Sequence, residues 1–319
     1  MDQTLLSSRA IIGAYFARLE ASPGMAWING VSNLFNSDQA AETYGFLGQS
    51  PAMREWLGGR QARGLGAVNN FAIANKHYEG TLRIEKKDVR RDKTGQIMAR
   101  VQEFADRAQT HWASLLATLI TAGDSTTCYD GQYFFDTDHT EGDNTTNQSN
   151  SLTYTLASEP HIGTGGTTTS PGIDHMGRAM LKTITAMLAF KDNRGEPMNE
   201  NASSFLAYVP AGLYADAAGA VSNLMPSALQ LNMNPNLVAG LNVTVQMSAR
   251  STWTTKFAMF RTDSPIKGLI RQSEQDVELK AKAEGSEFEF DEDAWEFGID
   301  AWRNVGYGYW QRACLSTFA

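Results

Sequence analysis

The sequence has few cysteines, no long apolar run and no surplus of basic charge. Its 319 residues include two cysteines, Cys128 and Cys314, which stand far apart without the spacing of a metal site. No segment approaches the ~20 apolar residues of a membrane-spanning helix. The first residues lack the basic start and the uninterrupted apolar stretch of a signal peptide. We therefore expect a cytosolic protein with reduced cysteines.

The charge balance excludes a protein that grips nucleic acid across a wide basic face. The formal net charge is −8, whereas neutralising phosphates requires clustered lysine and arginine. The hydrophobic content of 42% is that of a soluble globular protein. A chain of this length holds one large domain or two medium ones.

The longest periodic segment is Gln96–Ala122, which predicts one helix about 40 Å long. Asp92 or Thr94 is expected to cap its start, and Gly123 to end it in a left-handed conformation. Its apolar residues recur three or four apart and predict a face buried along the whole length. They are Ile97, Met98, Val101, Phe104, Ala105, Ala108, Trp112, Leu115, Leu116, Leu119 and Ile120.

Two elements are predicted before this helix. Ser8–Ala21 has the pattern of an amphipathic helix, and such a terminal arm packs either on its own domain or on a neighbouring copy. Gly66–Ile73 and Tyr78–Val89 alternate like strands and are separated by the turn-forming Ala74–Lys76. We predict a long hairpin from these two strands, which needs a partner surface because an isolated ribbon is marginal in water.

The stretch after the helix contains the residues most like an enzyme site. Asp136, Asp138, His139 and Asp143 lie close together, and carboxylates with imidazole can bind metals. A second group of ligands is missing, and such residues commonly form turn bonds, so we predict no metal site. The polar segment Thr140–Gly172 that follows is predicted to be a mobile surface insertion.

The second half of the chain predicts a compact mixed subdomain followed by β-structure. The expected elements are a helix at Asp174–Phe190 capped by Asp174, a strand at Ser204–Val209, a helix at Ala211–Asn223 and a strand at Leu241–Met247. From Lys256 onward, aromatic residues alternate with polar ones, which places one face of these strands on a core or an interface. These aromatic residues are Phe288, Phe290, Trp295, Phe297, Trp302, Tyr307, Tyr309 and Trp310.

Five segments together resemble one family. They are MREWLGGRQARGL (Met53–Leu65), NKHYEGTLRIEKKDV (Asn75–Val89), CYDGQYFFDTDH (Cys128–His139), SPIKGLI (Ser264–Ile270) and NVGYGYWQRA (Asn304–Ala313). In sequence and in order, they resemble the major head subunit of Mu-like phages and prophages. The resemblance extends from Met53 to Ala313.

The resemblance implies an α+β chain with the tailed-phage major capsid protein fold of the Hong Kong ninety-seven type. That fold has an N-terminal arm, an extended β-hairpin loop, a peripheral domain with a long spine helix, and an axial domain. The implied divisions are an arm at 1–50, the extended loop at 51–94, a peripheral part at 95–130, an axial domain at 131–249 with its insertion at 140–172, and a β-rich return to the peripheral domain at 250–319.

The function that the resemblance implies is structural, with no catalytic residue and no cofactor. Copies of the chain would form hexamers and pentamers of an icosahedral head that encloses double-stranded DNA. A portal, a scaffold, a maturation protease and a decoration protein are the implied partners, with assembly in the host cytoplasm and no membrane contact. Two alternatives remain open: a nanocompartment shell of the same fold, and a metal-dependent hydrolase using Asp136–His139.

A charge asymmetry suggests how copies meet. Arg83–Lys93 has six basic and three acidic residues, whereas Glu284–Glu296 has seven acidic residues and no basic one. We predict that the basic strand lies near the acidic segment of an adjacent copy, although charged strands at a sheet edge often face solvent. The candidate contact residues are Arg83, Lys86, Lys87, Arg90, Arg91, Glu287, Glu289, Asp291, Glu292 and Asp293.

Overall fold

The computed structural model describes residues 7–21, 26–47, 67–92, 94–141, 144–159, 166–222 and 241–319. The helices are α1 (Ser8–Ala21), α2 (Ala26–Val31), α3 (Lys86–Arg91), α4 (Gln96–Thr121), α5 (Gly172–Leu188), α6 (Tyr214–Ser222) and α7 (Glu287–Glu292). The strands are β1 (Ser32–Asn36), β2 (Ala41–Leu47), β3 (Ala67–Ala74), β4 (Lys76–Glu85), β5 (His139–Glu141), β6 (Asn144–Gln148), β7 (Ser151–Tyr154), β8 (Ser204–Pro210), β9 (Asn242–Ser248), β10 (Lys256–Arg261), β11 (Leu269–Lys282), β12 (Ala294–Tyr307) and β13 (Ala313–Phe318).

A four-stranded sheet, in the order β1-β11-β12-β4, carries α4 and α1. Strand β1 runs parallel to β11, and the other pairs are antiparallel. Ile11 and Tyr15 of α1 share a core with Val101 and Ala105 of α4 and with Phe297 of β12. Arg18 of α1 also donates two 2.8 Å hydrogen bonds to Asp106 of α4. The predicted helix at Ser8–Ala21 is confirmed, and it packs on its own chain.

A five-stranded sheet, in the order β7-β13-β10-β8-β9, forms the second core. Strand β8 is parallel to β9, and α6 lies between them in sequence. Met180 and Ile184 of α5 pack in this core with Phe205 of β8 and Phe260 of β10. The predicted order of helix, strand, helix and strand is therefore correct, although a 3₁₀ turn replaces the start of the predicted second helix.

Helix α4 belongs to both cores. Val101 and Ala105 lie in the core of the four-stranded sheet, whereas Leu116 and Ile120 lie in that of the five-stranded sheet. The predicted long helix is confirmed, and its length follows from this double role. Among the described residues, no helix is both long and apolar enough to cross a membrane.

The two ends of α4 are stabilised differently from each other. At the start, the Asp92 carboxylate accepts hydrogen bonds from the backbone of Ile97 at 3.0 Å and of Gln96 at 3.2 Å, as predicted. The bond from Ile97 is the main cause that lowers the pKa of Asp92. At the other end, the predicted left-handed Gly123 is wrong, because its φ is not positive. A Cβ on Gly123 would lie 2.6 Å from Phe135, so the position requires glycine for space.

The predicted hairpin between Gly66–Ile73 and Tyr78–Val89 is wrong. Strand β3 pairs with β2, and β4 pairs with β12 instead. Asn75, the single residue between β3 and β4, turns the chain from one sheet to the other. Its side chain donates to the Gln39 carbonyl oxygen at 2.8 Å and accepts from Gln272 at 2.7 Å. The hairpin is formed by β2 and β3, and the intervening residues 48–66, with the motif Met53–Leu65, lie outside the described residues.

The last 70 residues divide between the two sheets. The resemblance implies that residues 250–319 return to the peripheral domain together. In the structure, β10 and β13 join the five-stranded sheet, whereas β11 and β12 join the four-stranded sheet. Strand β10 pairs with β8 on one side and with β13 on the other, which fixes both in the five-stranded sheet. The acidic segment at Glu287–Glu292 is a helix, so its predicted strand conformation is wrong.

The predicted mobile insertion Thr140–Gly172 contains ordered structure. Ser151–Tyr154 forms β7, which pairs in parallel with β13, and Asn150 before it is fully buried. Helix α5 begins at Gly172 rather than at Asp174, and the Gly172 N–H donates to the Asp216 carboxylate at 3.2 Å. Asp174 pairs with Arg178 one turn later, so its predicted capping role is wrong.

Candidate assembly surface

The two short helices α3 and α7 lie beside each other at one end of the four-stranded sheet. Strand β4 runs into α3, and β12 begins directly after α7. The register of β12 against β4 pairs Ala294 with Glu85, which places the ends of both helices next to each other. We call the exposed residues of Lys86–Arg91 and Glu287–Glu292 the α3/α7 surface. The basic and acidic segments therefore meet within one chain.

Local capping explains why an acidic segment with alternating aromatics becomes a helix. The Ser286 hydroxyl accepts a hydrogen bond from the Glu289 N–H at 3.2 Å, and the Glu289 carboxylate accepts one from the Gly285 N–H at 2.7 Å. This reciprocal pattern resembles a capping box. Asp293 ends the helix in the left-handed conformation, with φ 48°. These local hydrogen bonds outweigh the strand pattern of the aromatic residues.

Ion pairs join the two segments. Arg83 lies 3.0 Å from the Glu292 carboxylate, and the Lys86 ammonium lies 2.9 Å from Glu289. Lys86 also lies 3.7 Å from Asp293. Five of the ten predicted contact residues thus pair with each other inside the chain. A sixth, Lys87, pairs with Glu85 of the strand before it.

The electrostatics of Glu289 reflect these contacts. The hydrogen bond from Lys86 is the first cause that lowers the pKa of Glu289 to about 2, followed by the bond from the Gly285 N–H. A third bond comes from the Trp295 indole N–H at 3.1 Å. The same pair raises the pKa of Lys86. Glu289 is therefore an anion over the whole physiological range.

The other four predicted contact residues remain exposed. Arg90 and Arg91 on α3, and Glu287 and Asp291 on α7, form no ion pair with any residue in the described ranges. Among the described residues, neutralisation is therefore incomplete, and these two cations and two anions lie on neighbouring helices. Together with the exposed Asp88 of α3, they are the part of the α3/α7 surface that can meet another molecule by charge.

Phe290 does not lie in a core of its own chain, which leaves the other predicted surrounding, an interface, as a prediction. The alternation of aromatics predicted that it faces a core or an interface, yet its side chain is 90% exposed in the single chain. Phe288, two residues earlier, is partly covered by the cations of Arg83 and Lys282, which lie 5.5 and 5.3 Å from its ring. The helical turn of α7 separates the two rings and directs Phe290 outward.

Of the acidic cluster after α4, the described members Asp136, Asp138 and His139 do not form a shared ligand site. His139 is fully buried and stacks on Trp310 at 4.2 Å, with its Nδ1 atom 2.6 Å from Asp130. Asp136 accepts hydrogen bonds from the backbone N–H groups of Tyr133 and Thr137, the predicted turn bonds. Asp143 lies outside the described residues. The partner of His139 is Asp130, which the sequence search missed although it lies two residues after Cys128.

The buried cluster of Cys128, Asp130 and His139 is organised as a hydrogen-bond network. Their ligand atoms lie within 4.8 Å of one another, a spacing that a metal can use. Each atom already has a partner, however, because the Cys128 thiol donates to Asp130 at 3.0 Å and burial raises the pKa of that thiol. Both ring nitrogens of His139 face oxygen acceptors, Asp130 and Asn150. The cluster therefore ties loops together and does not present a reactive group.

Two curated relatives match part of the chain. The major head subunit of the Mu-like prophage FluMu of Haemophilus influenzae is 35% identical over 114 residues, which are 36% of this chain and 37% of the relative. The major capsid protein of Escherichia phage Mu is 36% identical over 121 residues, or 38% of this chain and 39% of the relative. The aligned part spans less than two fifths of either relative.

Solved structures match nearly the whole chain. The procapsid of bacteriophage JBD30 aligns over 97% of this chain and 74% of that chain, with a TM-score of 0.54 at 22% identity. The mature capsid of bacteriophage PhiM1 aligns over 92% and 87%, with a TM-score of 0.54 at 8% identity. The capsid of Myoviridae phage XM1 aligns over 91% and 90%, with a TM-score of 0.52 at 12% identity. The predicted tailed-phage capsid fold is confirmed.

The family match covers every strand of the four-stranded sheet and every strand of the five-stranded sheet except β8. The family model described as the Mu-like prophage major head subunit gpT matches residues 14–161 and 234–318. These ranges contain α4, the β2–β3 hairpin and strands β9 to β13. They also contain the α3/α7 surface and the buried His139 network. The chain therefore belongs to the Mu-like prophage major head subunit family.

Proposed function

We propose that the chain is the major capsid protein of a Mu-like phage head. Copies assemble into hexamers and pentamers of an icosahedral shell that encloses double-stranded DNA. The observation that carries this proposal is the family match, which covers most of the chain, together with a capsid fold along its length. The role is structural, because no step of chemistry is required of a subunit whose task is to bind its own copies.

The remaining partners follow from the same proposal. A portal, a scaffold and a maturation protease act during assembly in the host cytoplasm, and DNA lies against the inner surface of the finished head. The net charge of −8 supports DNA held by confinement rather than by a wide basic face. A decoration protein on the outer surface belongs to the same set of proposals.

The proposed contact between copies uses fewer residues than the sequence suggested. Arg83, Lys86 and Lys87 have acidic partners in their own chain. Arg90 and Arg91 retain their charge for a neighbour, and Glu287 and Asp291 are the acidic groups available to meet them. Such a contact uses two different patches of one subunit and repeats around a closed ring.

The test of this function is expression of the full chain followed by sedimentation and electron microscopy. Closed shells, or capsomers of five and six copies, are the expected result. Particles that contain a protein cargo in place of DNA would support the nanocompartment alternative. A monomer at all concentrations, with and without the phage's other head proteins, would contradict both shell functions.

A further inference from the structure

Phe290 combines full exposure with a charged setting that single exposed apolar residues do not usually have. Its side chain is 90% exposed, although scattered apolar side chains on a surface are by themselves ordinary. Glu287 lies one helical turn before it and Asp291 directly after it, and both are unpaired among the residues described. The side chain is therefore an aromatic knob between two anions, which is the composition of an interface anchor.

A groove of about 610 Å³ lies at the same end of the sheet and is lined by β4, α3 and the start of α4. Leu82, Ile84 and Ile97 give it an apolar floor, and Arg91 stands at its rim. Three acidic residues also line it, of which Asp88 is exposed, whereas Asp92 and Glu85 have local partners. Asp92 accepts backbone hydrogen bonds at the start of α4, and Glu85 pairs with Lys87. The groove thus offers an apolar surface next to Arg91, which has no ion pair with any residue that the structure describes.

We propose that Phe290 of one copy enters this groove on a neighbouring copy, with Glu287 and Asp291 facing Arg90 and Arg91. This inference rests on the proposed shell function and names the contact that the shell uses. The groove is not filled by Phe290 of its own chain, because that side chain is exposed. Each copy carries both the knob and the groove, so the contact is heterologous and passes from copy to copy.

A second copy fits better than another class of partner because the two surfaces match in two independent ways. The apolar floor fits an aromatic ring, and Arg90 and Arg91 on α3 are opposite in charge to Glu287 and Asp291 on α7, although Asp88 is a further exposed carboxylate on α3. A contact with charges at its rim and an aromatic anchor at its centre has the organisation of a specific protein interface. Arginines at the rim also disfavour the reverse arrangement, in which α3 of one copy meets α3 of another.

The test is disulfide cross-linking in shells assembled from two variants mixed in equal amounts. One variant carries Phe290→Cys, and the other carries Thr94→Cys in the exposed rim of the groove. The native Cys128 and Cys314 are buried and do not interfere. Because each chain has a single new cysteine, a disulfide forms only between chains. Half of the copies retain Phe290, so about half of the contacts in a mixed shell keep their aromatic side chain.

We expect a dimer band on a non-reducing gel from this mixture. A matched mixture of Phe290→Cys with Thr118→Cys should give none, since Thr118 lies about 36 Å farther along α4. A dimer band from Phe290→Cys shells alone would show that α7 meets α7 and would overturn the proposal. Shells without a dimer band in the first mixture would also overturn it. Failure of the wild-type chain to form shells would instead count against the proposed function.

Discussion

At the scale of single residues, Asn150 holds three parts of the chain together. Its side chain amide donates to the carbonyl oxygens of Phe134 at 2.8 Å and Ala313 at 3.3 Å, and its oxygen accepts from the Asp136 N–H at 2.8 Å. The residue is fully buried. Loss of the amide leaves several buried polar groups without partners, which is more costly than the loss of one exposed hydrogen bond.

We expect Asn150→Ala to lower the free energy of unfolding by about 2 to 3 kcal/mol because of these unpaired groups. Urea unfolding followed by circular dichroism measures the change. Asn147→Ala is the control, since Asn147 is an exposed asparagine on the neighbouring strand β6. Equal stability of the two variants would show that the Asn150 network contributes little.

Gly123 shows how a glycine can be required for space rather than for a left-handed turn. A Cβ at this position would lie 2.6 Å from Cδ2 and 2.8 Å from Cε2 of the buried Phe135 ring. We expect Gly123→Ala to destabilise the protein by about 1 to 3 kcal/mol through overpacking. Gly13→Ala in α1 is the matched control, because nothing lies within 4 Å of its Cβ. Thermal melting should separate the two variants, with Gly13→Ala neutral or slightly stabilising.

At the scale of elements, the packing of α7 against α3 and β12 depends on ionised Glu289. Its folded pKa of about 2 lies below the ordinary value of 4.5, so the ion pair with Lys86 stabilises the fold above pH 4.5. That contribution is lost as the pH falls from 4.5 to about 2, because the carboxylate becomes protonated. The effect belongs to the whole element, since the same carboxylate caps α7 and binds Trp295.

We expect Glu289→Gln to melt at a lower temperature than the wild type above pH 4.5, with the difference shrinking toward pH 2. Melting curves between pH 2 and pH 7 test this, with the wild type as reference. Glu287→Gln is the control on the same helix, because Glu287 forms no ion pair with a described residue. A difference that stays constant across the pH range would assign the effect of Glu289 to packing instead of ionisation.

At the scale of the whole molecule, the charged side chains without an ion pair among the described residues determine which contacts one copy can make with another. We expect the double variant Arg90→Glu and Arg91→Glu to block assembly at low salt while leaving a folded monomer or capsomer. Like charges would then face each other at the contact, and screening weakens such interactions as salt rises. Sedimentation and electron microscopy at low and high salt measure the outcome.

A second pair of substitutions tests which acidic residues Arg90 and Arg91 meet in that contact. Adding Glu287→Lys and Asp291→Lys to the same chain should partly restore shells. Reversing Glu292 should not, because Glu292 pairs with Arg83 inside the chain. Normal shells from the variant with both arginines replaced would contradict the contact. If assembly is blocked and the added lysines do not restore it, α3 takes part in assembly but its partner is wrongly assigned.

We also expect mature particles to contain no covalent links between copies. A lysine must be neutral to attack an amide carbon, yet ion pairs with Glu289 and Glu85 raise the pKa values of Lys86 and Lys87 and favour their charged forms. Lys76 belongs to β4, which is paired along its length with β12. Boiled particles should run as one monomer band on a denaturing gel, and a ladder of heavier species would contradict this.

Local patterns in the sequence were sufficient to predict the elements in which the spacing of apolar residues agrees with the face that packs. Ser8–Ala21 and the long α4 have apolar residues at helical spacing, and the packed face of each helix, such as Ile11 and Tyr15 in α1, is drawn from them, whereas Phe16 stays exposed. The family could also be identified from the sequence, because its motifs are runs of adjacent residues. Asp92 was identified as a cap because capping depends on neighbours within a few residues.

The tertiary structure decided which strands pair, which charges meet and which aromatic residue stays exposed. Strands β3 and β4 both have hairpin-like patterns, but pairing depends on partners far along the chain, such as β12 for β4. Period-2 alternation suited Phe288 and Phe290 as a strand, yet the Ser286 cap makes a helix and leaves Phe290 in solvent. Composition revealed two runs of opposite charge, and only the register of β12 against β4 determined that five of the ten candidate contact residues pair with each other within one chain.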